Sequence, residues 1–424
     1  MAEARRDVVK PGMPDDRPRI LEASRLPNER SGMRRNRSSS FLWVPLAIAG
    51  FSACMSLAVA EPSSKSARPA GSSTAATSSR PRSSASAAPR APVSAAPRAA
   101  VSAAPRAASS AAPVEKKAAD SAPVASNTAA CPSGMVLVDG DYCTDVDYDC
   151  LRSWYDESNK KTVCEEFKPE SRCVGKKVKK RFCMDMYTWP NEKGARPEVM
   201  NRFHQAELKC AAVGKRLCTE SEWTMACEGP RLLPFPYGYV RDANKCLGDV
   251  EWDSPDMKKV AKRDPEELAR LWKGVRNGAQ PGCISEYGVA DLPGNVDEVV
   301  ASETFDGTWK SKYDSVHTGG PWYKGVRNQC RPKIYTHDEG FYYYFLGFRC
   351  CAEPDGKATD FRTPRQIKEN WKLSRIENIA GMKLDEVKEK LELKKKGECK
   401  CADKDTRCKT ICGTLLGPNA KDYR

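Results

Sequence analysis

The stretch that decides the fold is Cys210-Ala-Ala-Val-Gly-Lys-Arg-Leu-Cys-Thr-Glu-Ser-Glu-Trp223, in the middle of the 424-residue chain. Just before and within it, Phe203, Ala206 and Cys210 recur at the i, i+3, i+7 spacing of one helix face. Gly214 follows, and glycine commonly ends a helix because it adopts the left-handed backbone conformation without steric cost. The pattern therefore predicts a helix that ends at Gly214.

The second half of the stretch predicts the start of another helix. Thr219 and Glu222 have the spacing of a capping box, in which the hydroxyl accepts from a free N–H and the carboxylate reaches back to the cap residue. Trp223, Ala226 and Cys227 then share one face, which we expect to be buried. Short apolar runs cut by Gly, Pro and Asp surround this helix pair. The region therefore reads as α+β, with few regular elements and many loops.

Further motifs accompany the helix pair in a definite order. They are Met135-Val-Leu-Val138 with Gly140, Pro236-Tyr-Gly238, Asn244, Tyr287-Gly-Val-Ala-Asp-Leu-Pro-Gly-Asn-Val-Asp-Glu298, Gly319-Gly320 and Leu346-Gly-Phe-Arg-Cys350. As an ordered set, these residues resemble the formylglycine-generating enzyme (sulfatase-modifying factor) family, over about Cys131 to Asp355. The resemblance implies an irregular, loop-rich α+β variant of the C-type-lectin-like architecture. We therefore place the family-like domain at residues 131–356.

The cysteines indicate a domain stapled by disulfides. Eighteen of the nineteen cysteines follow residue 130. Disulfides form and persist in oxidising compartments outside the cytoplasm. The apolar N-terminal run described below also indicates a location outside the cytoplasm. The family resemblance implies two of the pairs, Cys210–Cys350 and Cys227–Cys330.

Two cysteine groups lie outside the family pattern, and their connectivity stays open. The first lies in or beside an inserted loop, residues 144–180, and comprises Cys143, Cys150, Cys164 and Cys173. The second lies in a basic helical extension, residues 357–424, and comprises Cys399, Cys401, Cys408 and Cys412. Its spacing fits no zinc site, so we expect two disulfides there. An apolar stripe of Leu384, Val387 and Leu391 leaves open whether the extension packs on the domain or contacts another molecule.

An apolar run, residues 41–60, indicates export. Its twenty residues carry no charge and are just long enough to span a bilayer. Residues 34–37 include three arginines, and positive charge stays on the cytoplasmic side, so the C-terminal bulk faces outward. Three fates stay open: cleavage after Ala58-Val-Ala60 as a signal peptide, retention as a transmembrane anchor, or lipid attachment at Cys54. Each fate places the domain in the periplasm or at the cell surface.

Charge is concentrated in the flanks. Residues 1–40 form a basic segment, and residues 61–130 form a linker of Ala, Ser, Pro and Arg. The composition of both segments predicts disorder. The net charge is +14, of which residues 1–40, 61–130 and 357–424 carry +4, +6 and +7, whereas the remainder carries −3. A nucleic-acid-binding domain concentrates positive charge on the fold itself, so we expect no nucleic-acid partner.

Copper chemistry is not expected. By resemblance, active family members oxidise a substrate cysteine to formylglycine, using two cysteine thiolates shortly after the Gly-Gly pair to hold copper(I). Lys324 and Gln329 occupy those two positions here. An ammonium cannot ligate copper(I), an amide ligates it poorly, and the implied bond to Cys227 uses Cys330. We therefore assign no catalytic residue.

Calcium is the cofactor that the resemblance does imply. Asp291, Asn295 and Glu298 lie in the segment that resembles the family's calcium-binding loop. Carboxylate, amide and carbonyl oxygens are the ligands that calcium prefers. Asn244 matches a ligand of a second calcium site, whose other ligands are not identifiable. The alternative is a polar turn that hydrogen-bonds to itself.

A binding cleft is expected after the Gly-Gly pair. Trp322, Tyr323, Lys324 and Arg327 combine aromatic faces with cationic donors, which suits a protein, peptide or glycan of the cell envelope. The alternative, that these aromatic residues belong to the core, stays open. If residues 41–60 are retained, the membrane is a further partner.

Two functions are compatible with these sequence features. The first is an exported or membrane-anchored recognition module that has the family's fold but lacks the copper-binding cysteine pair. The alternative is a metal-dependent oxidoreductase of the same superfamily, by formylglycine generation or non-haem iron chemistry. For iron, the candidate ligands are His317 and His337 with Asp338 or Glu339.

Overall fold

The computed structural model describes residues 130–157, 160–323 and 325–422. The predicted segments 1–40, 41–60 and 61–130 lie outside the described residues, apart from Ala130. Within the described ranges, no helix is both long enough and apolar enough to cross a membrane.

Two four-stranded sheets organise the domain. The strands are β1 (Met135–Cys143), β2 (Val146–Asp147), β3 (Cys150–Asp156), β4 (Lys161–Phe167), β5 (Arg172–Cys173), β6 (Lys177–Asp185), β7 (Arg216–Leu217), β8 (Asp297–Ala301), β9 (Ser315–Thr318), β10 (Lys333–Ile334), β11 (Leu346–Phe348) and β12 (Cys350–Ala352). The first sheet has the order β1-β6-β12-β7 and is antiparallel. The second has the order β10-β9-β8-β11, in which β11 runs parallel to β8.

Short helices complete the fold. They are α1 (Phe203–Ala212), α2 (Glu220–Glu228), α3 (Met257–Ala261), α4 (Pro265–Leu271), α5 (Pro364–Lys368), α6 (Leu373–Ala380), α7 (Leu384–Lys395) and α8 (Thr406–Cys412). A 3-10 turn spans Trp309–Ser311. Small sheets, short helices and long connecting loops confirm the predicted irregular, loop-rich α+β fold class.

The helix pair forms as its sequence predicts. Helix α1 ends just before Gly214, which has a φ of +74°. Helix α2 begins after Thr219, whose backbone N–H donates to Glu222 Oε2 at 2.8 Å. Trp223 and Cys227 are both buried on the inner face of α2. Local capping and the position of the glycine therefore set both helix ends.

The C-terminal extension packs on the domain and shares its core. Phe203 and Leu208 of α1 lie in one apolar cluster with Ile376 of α6, Val387 of α7 and Ile411 of α8. Each of these five side chains is almost wholly buried. This packing answers the question that the apolar stripe of the extension left open.

The insertion is built from strands. Strands β3 and β4 form an antiparallel hairpin, and β2 pairs with β5. Strand β6 begins at Lys177, before the predicted end of the insertion at residue 180. It begins there because its ladder with β1 is continuous from Met135 opposite Asp185 to Cys143 opposite Lys177.

Every cysteine of the described residues forms a disulfide. Cys210 pairs with Cys350 and Cys227 with Cys330, the two pairs that the resemblance implies. The other pairs are Cys131–Cys183, Cys143–Cys173, Cys150–Cys164, Cys218–Cys351, Cys246–Cys283, Cys399–Cys412 and Cys401–Cys408. Disulfides therefore close the insertion, cross-link the core and fasten the end of the extension.

Candidate functional site

Two glycines allow the loop after β9 to approach helix α2. Gly319 and Gly320 have φ values of +89° and +68°, a region that other residues rarely adopt. A Cβ atom on Gly319 would lie 2.9 Å from the Trp223 ring. The Gly320 N–H donates to Asp297 Oδ1 at 3.1 Å. The paired glycines thus position the start of the predicted cleft.

The first aromatic residue of the predicted cleft lies in the core. Trp322 is 1% exposed, and its ring centroid lies 4.9 Å from that of Trp272. Tyr323 is half-buried and packs edge-on against Phe345 at 5.3 Å. Lys324 lies outside the described residues. Of Trp322 and Tyr323, the two that the structure describes, Tyr323 is therefore the one that a ligand can reach.

The fourth predicted cleft residue is held in an ion pair. The guanidinium of Arg327 donates to both carboxylate oxygens of Asp297, at 2.8 and 2.9 Å. Asp297 is 1% exposed. A bidentate pair of this kind fixes both side chains, because two parallel hydrogen bonds constrain distance and orientation. Arg327 therefore braces the loop and offers few free donors to a ligand.

The remaining cysteine of this loop is bonded. Cys330 is fully buried and bonded to Cys227 at the end of α2. Gln329, at one of the two positions where the resemblance implies a copper-binding cysteine, is half-buried beside it. The described part of the loop therefore presents no thiolate for copper(I), since a bridged sulfur carries no such charge.

Two histidines stack beside the Asp297–Arg327 pair. The His317 ring centroid lies 4.9 Å from that of His337, which in turn lies 3.9 Å from that of Phe341. Burial lowers the pKa of His317 to about 4, although the Asp297 carboxylate opposes this effect. Burial also lowers the pKa of His337. Both imidazoles are therefore neutral at neutral pH.

The carboxylates proposed as iron ligands face elsewhere. Asp338 accepts from the Gly340 N–H at 3.0 Å, and Glu339 accepts from the Asp314 N–H at 2.5 Å. Among the described residues, no histidine belongs to a group of three ligand atoms close enough to hold one metal ion. The one such group comprises Cys401, Cys408 and Cys412, which are all bridged.

The calcium candidates are bonded to the protein. Glu298 is 1% exposed and accepts from Arg349 at 2.7 and 2.9 Å, from Trp223 Nε1 at 2.7 Å and from Thr188 Oγ1 at 2.7 Å. Its two oxygens thus neutralise a buried guanidinium and satisfy two further donors. A carboxylate committed in this way does not fit the role of a calcium ligand.

The other calcium candidates are engaged or dispersed. The Asn295 side-chain oxygen accepts from the Val275 N–H at 2.9 Å, and its NH₂ group donates to the Val275 carbonyl at 3.1 Å. Asp291 accepts from the Gly278 N–H at 2.9 Å, and burial raises its pKa to about 6. Asn244 is exposed in a separate turn. These contacts resemble the alternative of a self-bonded turn, and the calcium site stays a prediction.

The Asp297–Arg327 and Glu298–Arg349 pairs were not predicted from the sequence. The run Val296-Asp-Glu-Val-Val300 places two acids between apolar residues, which signals buried carboxylates in need of partners. The chain contains 70 lysines and arginines, so the sequence does not reveal which two are the partners.

Comparison with known proteins gives a family match for this region. Residues 159–354 match the family model described as a sulfatase-modifying factor enzyme 1-like domain. None of the curated proteins compared with the chain matches it.

Solved structures similar to this chain come from several proteins. The crystal structure of CarF is 13% identical, covers 53% of this chain and 98% of its own, and has a TM-score of 0.34. PvdO from Pseudomonas aeruginosa is 15% identical, covers 52% and 94%, and has a TM-score of 0.31. Treponema denticola variable protein 1 is 13% identical, covers 51% and 99%, and has a TM-score of 0.28.

Proposed function

We propose that the chain is an exported recognition module without the family's copper chemistry, from the premise that residues 159–354 match the model of a sulfatase-modifying factor enzyme 1-like domain. The observation that carries the proposal is the bond between Cys227 and Cys330. It uses the cysteine nearest to the two positions that hold copper in active family members. Lysine and glutamine occupy those positions.

The rigidity of the loop after the Gly-Gly pair supports recognition. Asp297 holds both Gly320 and Arg327, and Trp322 anchors the loop in the core. Each of these contacts is made within the domain and needs no ligand. A surface fixed in this way loses little conformational entropy when it binds a partner.

A row of aromatic rings supplies the contact surface. Neighbouring centroids lie 3.9 to 5.7 Å apart along His337, Phe341, Tyr343, Phe345 and Tyr323. All of these rings except Phe345 are partly exposed. Aromatic rings offer large apolar contact areas together with polar groups, which suits a protein, peptide or glycan.

The disulfides fit an extracellular or secreted protein, because such bonds persist in oxidising compartments. As part of the proposal, residues 41–60 direct export, and they anchor the protein where they are not cleaved.

Thiol and metal measurements on the full chain test the proposal. Protein exported by a bacterial host is denatured without reductant, and its thiols are counted. We expect at most one thiol, from Cys54. We also expect no stoichiometric copper or iron after metal loading, and no formylglycine in a cysteine-containing substrate peptide. Calcium is measured in the same samples, and the Cys227→Ser variant, which releases Cys330, is the positive control for thiol counting.

The alternative function, a metal-dependent oxidoreductase, draws on the stacked pair His317 and His337 near Asp297. Stoichiometric iron or copper together with turnover would establish it and would refute the recognition module. Loss of the iron in a His317→Ala variant would assign the ligand.

A further inference from the structure

A cavity lies outside the residues of the predicted cleft. It has a volume of about 490 Å³, within the range of small-molecule sites, and its lining includes residues of β1, β6, β10, the start of α2 and the 3-10 turn. Residues that line it include Tyr142, Lys180, Glu220, Lys310, Lys333 and Tyr335. None of these residues belongs to the cleft that the sequence predicted.

Part of the charge in the cavity is neutralised by ion pairs. Lys180 Nζ lies 2.9 Å from Glu303 Oε1, and Arg331 donates to Glu228 Oε2 at 2.8 Å. Glu220 accepts from neutral donors, including the Tyr335 hydroxyl at 2.7 Å. These contacts hold the cavity walls in place.

Two ammonium groups in the cavity lack such partners. Within the described ranges, neither Lys310 nor Lys333 has a carboxylate oxygen within 4.0 Å. Lys333 Nζ reaches only the Arg331 carbonyl, at 3.4 Å. Lys310 Nζ lies over the rings of Tyr335 and Trp309, at 5.6 and 5.8 Å. Both ammonium groups are thus available to an incoming anion.

The electrostatics of Lys333 favour an anionic ligand. Burial lowers the pKa of Lys333, although the Glu220 carboxylate opposes this effect. An ammonium removed from water is costly when no carboxylate pairs with it directly, and the Glu220, Glu228 and Glu303 carboxylates act on Lys333 only from beyond 4.0 Å. An anion that reaches it therefore gains more than it would from an exposed lysine.

Two aromatic rings lie beside Lys310: Tyr335, which lines the cavity, and Trp309, which packs against Tyr335. Trp309 is 62% exposed, and its ring packs edge-on against Tyr335 at 5.8 Å. The Tyr335 hydroxyl is fixed by Glu220, so its ring orientation is set. An exposed indole beside a fixed phenol offers a flat apolar surface, on which the C–H face of a sugar ring can pack.

We propose that this cavity binds an anionic sugar unit, a uronic acid or a sulfated hexose, of an envelope glycan. The proposal rests on the recognition function above and assigns it a ligand class and a site. The anionic group lies between Lys310 and Lys333, and the ring packs on Trp309. An acidic peptide is disfavoured because its affinity would need apolar anchor pockets, whereas this cavity is lined largely by charged and hydroxyl groups.

Calorimetric titration of the full chain tests the proposal. The probes are glucuronate, glucose 6-sulfate, glucose, inorganic sulfate and a glutamate-rich peptide. We expect saturable binding of one or both anionic sugars, and binding about tenfold weaker or worse for glucose and for sulfate alone. Lys333→Met and Lys310→Met should each weaken binding of the anionic sugar by about tenfold. Lys388→Met, at an exposed lysine of α7, is the matched control and should leave binding unchanged.

Trp309→Ala tests the site with a variant that is expected to fold, because the side chain is exposed and its removal leaves the core intact. It should weaken binding of anionic sugars without changing the melting temperature. The proposal is overturned if neither anionic sugar binds saturably, or if Lys333→Met and Trp309→Ala bind like the parent. Binding of the acidic peptide alone would overturn the glycan assignment and leave the recognition function standing. Copper turnover would refute the recognition function without altering the titrations.

Discussion

Glu298 lies at the centre of the domain, with both carboxylate oxygens hydrogen-bonded and the Arg349 guanidinium beside them. The two residues lie on or beside adjacent parallel strands, since Gly347 stands opposite Glu298. Lys209 and Glu198 form a second buried pair, at 2.5 Å. A buried charge is tolerated only when it is paired, so each partner depends on the other.

Removing one member of the central pair should be severe. Glu298→Gln leaves the Arg349 guanidinium buried without a counter-charge, and we expect a loss of about 3–5 kcal/mol in the free energy of unfolding. Urea unfolding at pH 7 with the disulfides intact measures it. Glu392→Gln is the control, because Glu392 pairs with Lys395 at the surface and should cost less than about 1 kcal/mol. Equal losses in the two variants would contradict this account.

Asp314 makes stability depend on pH. Burial raises its pKa to about 7, although Thr363 and Arg365 oppose the rise, and the Glu207 and Glu339 carboxylates add to it. Below pH 4 the carboxyl is neutral in both the folded and the unfolded state. Between about pH 4 and 7 only the unfolded state releases the proton, so stability is lost as the pH rises through this window.

The Asp314→Asn variant isolates this effect. The amide cannot ionise, and its oxygen can still accept from the Thr363 hydroxyl. We expect the variant to gain about 2–4 kcal/mol over the parent between pH 4 and pH 8, since each pKa unit corresponds to about 1.4 kcal/mol. Melting temperatures across this pH range measure the gain. A constant difference between the two proteins would exclude Asp314 as the cause.

At the scale of elements, the extension is part of the domain. Helices α6 and α7 pack against α1, and α8 packs against α7 and reaches the same apolar cluster. The Lys209 ammonium on α1 also donates to the Thr410 carbonyl of α8, at 2.6 Å. The extension therefore covers apolar surface on α1 that would otherwise face water.

Substitutions of two isoleucines on helix α6 distinguish the loss of core packing from a change in helix propensity. Ile376 is fully buried, whereas Ile379 is 47% exposed. Ile376→Ala should cost about 2–5 kcal/mol, because it removes buried methyl groups and leaves a cavity. Ile379→Ala should cost less than about 1 kcal/mol. Denaturant unfolding of the two variants tests the docking, and similar small losses would mean that α6 is not held against α1.

At the scale of the whole molecule, the disulfides link segments that are distant in the chain. Cys210–Cys350 and Cys218–Cys351 join the last turn of α1 and the residue after β7 to strand β12, across 140 and 133 residues. Cys150–Cys164 only closes a hairpin, across 14 residues. A disulfide that closes a long loop restricts the unfolded chain more than one that closes a short loop. The two core bonds therefore contribute more to stability than the bond in the hairpin.

Two double variants test this ranking. Cys227→Ser with Cys330→Ser opens a loop of 103 residues and should cost about 3–5 kcal/mol. Cys150→Ser with Cys164→Ser opens the exposed hairpin and should cost less. Thermal unfolding without reductant compares the two. In the single variant Cys227→Ser, the Cys330 thiol should react with thiol reagents on denaturation, and an unreactive Cys330 would argue against the pairing.

Much of the architecture could be predicted from the sequence. The capping residues of α2, the glycine after α1 and the ordered motifs indicated the helix pair and the fold class. The site was less predictable. Trp322 looked like a cleft residue but packs against Trp272, and Lys333 stood out by no local pattern. A binding surface depends on which side chains lack partners, and that depends on the whole fold.

The sequence alone determined what depends on neighbours along the chain: where α1 ends, where α2 begins, and that the domain is rich in cysteine. Only the tertiary structure decided that Arg327 pairs with Asp297, that Arg349 pairs with Glu298, and that two lysines at a cavity form no ion pair with any described carboxylate. The physical reason is that capping and periodicity act over a few residues. Burial and charge pairing join residues that only the folded chain brings together.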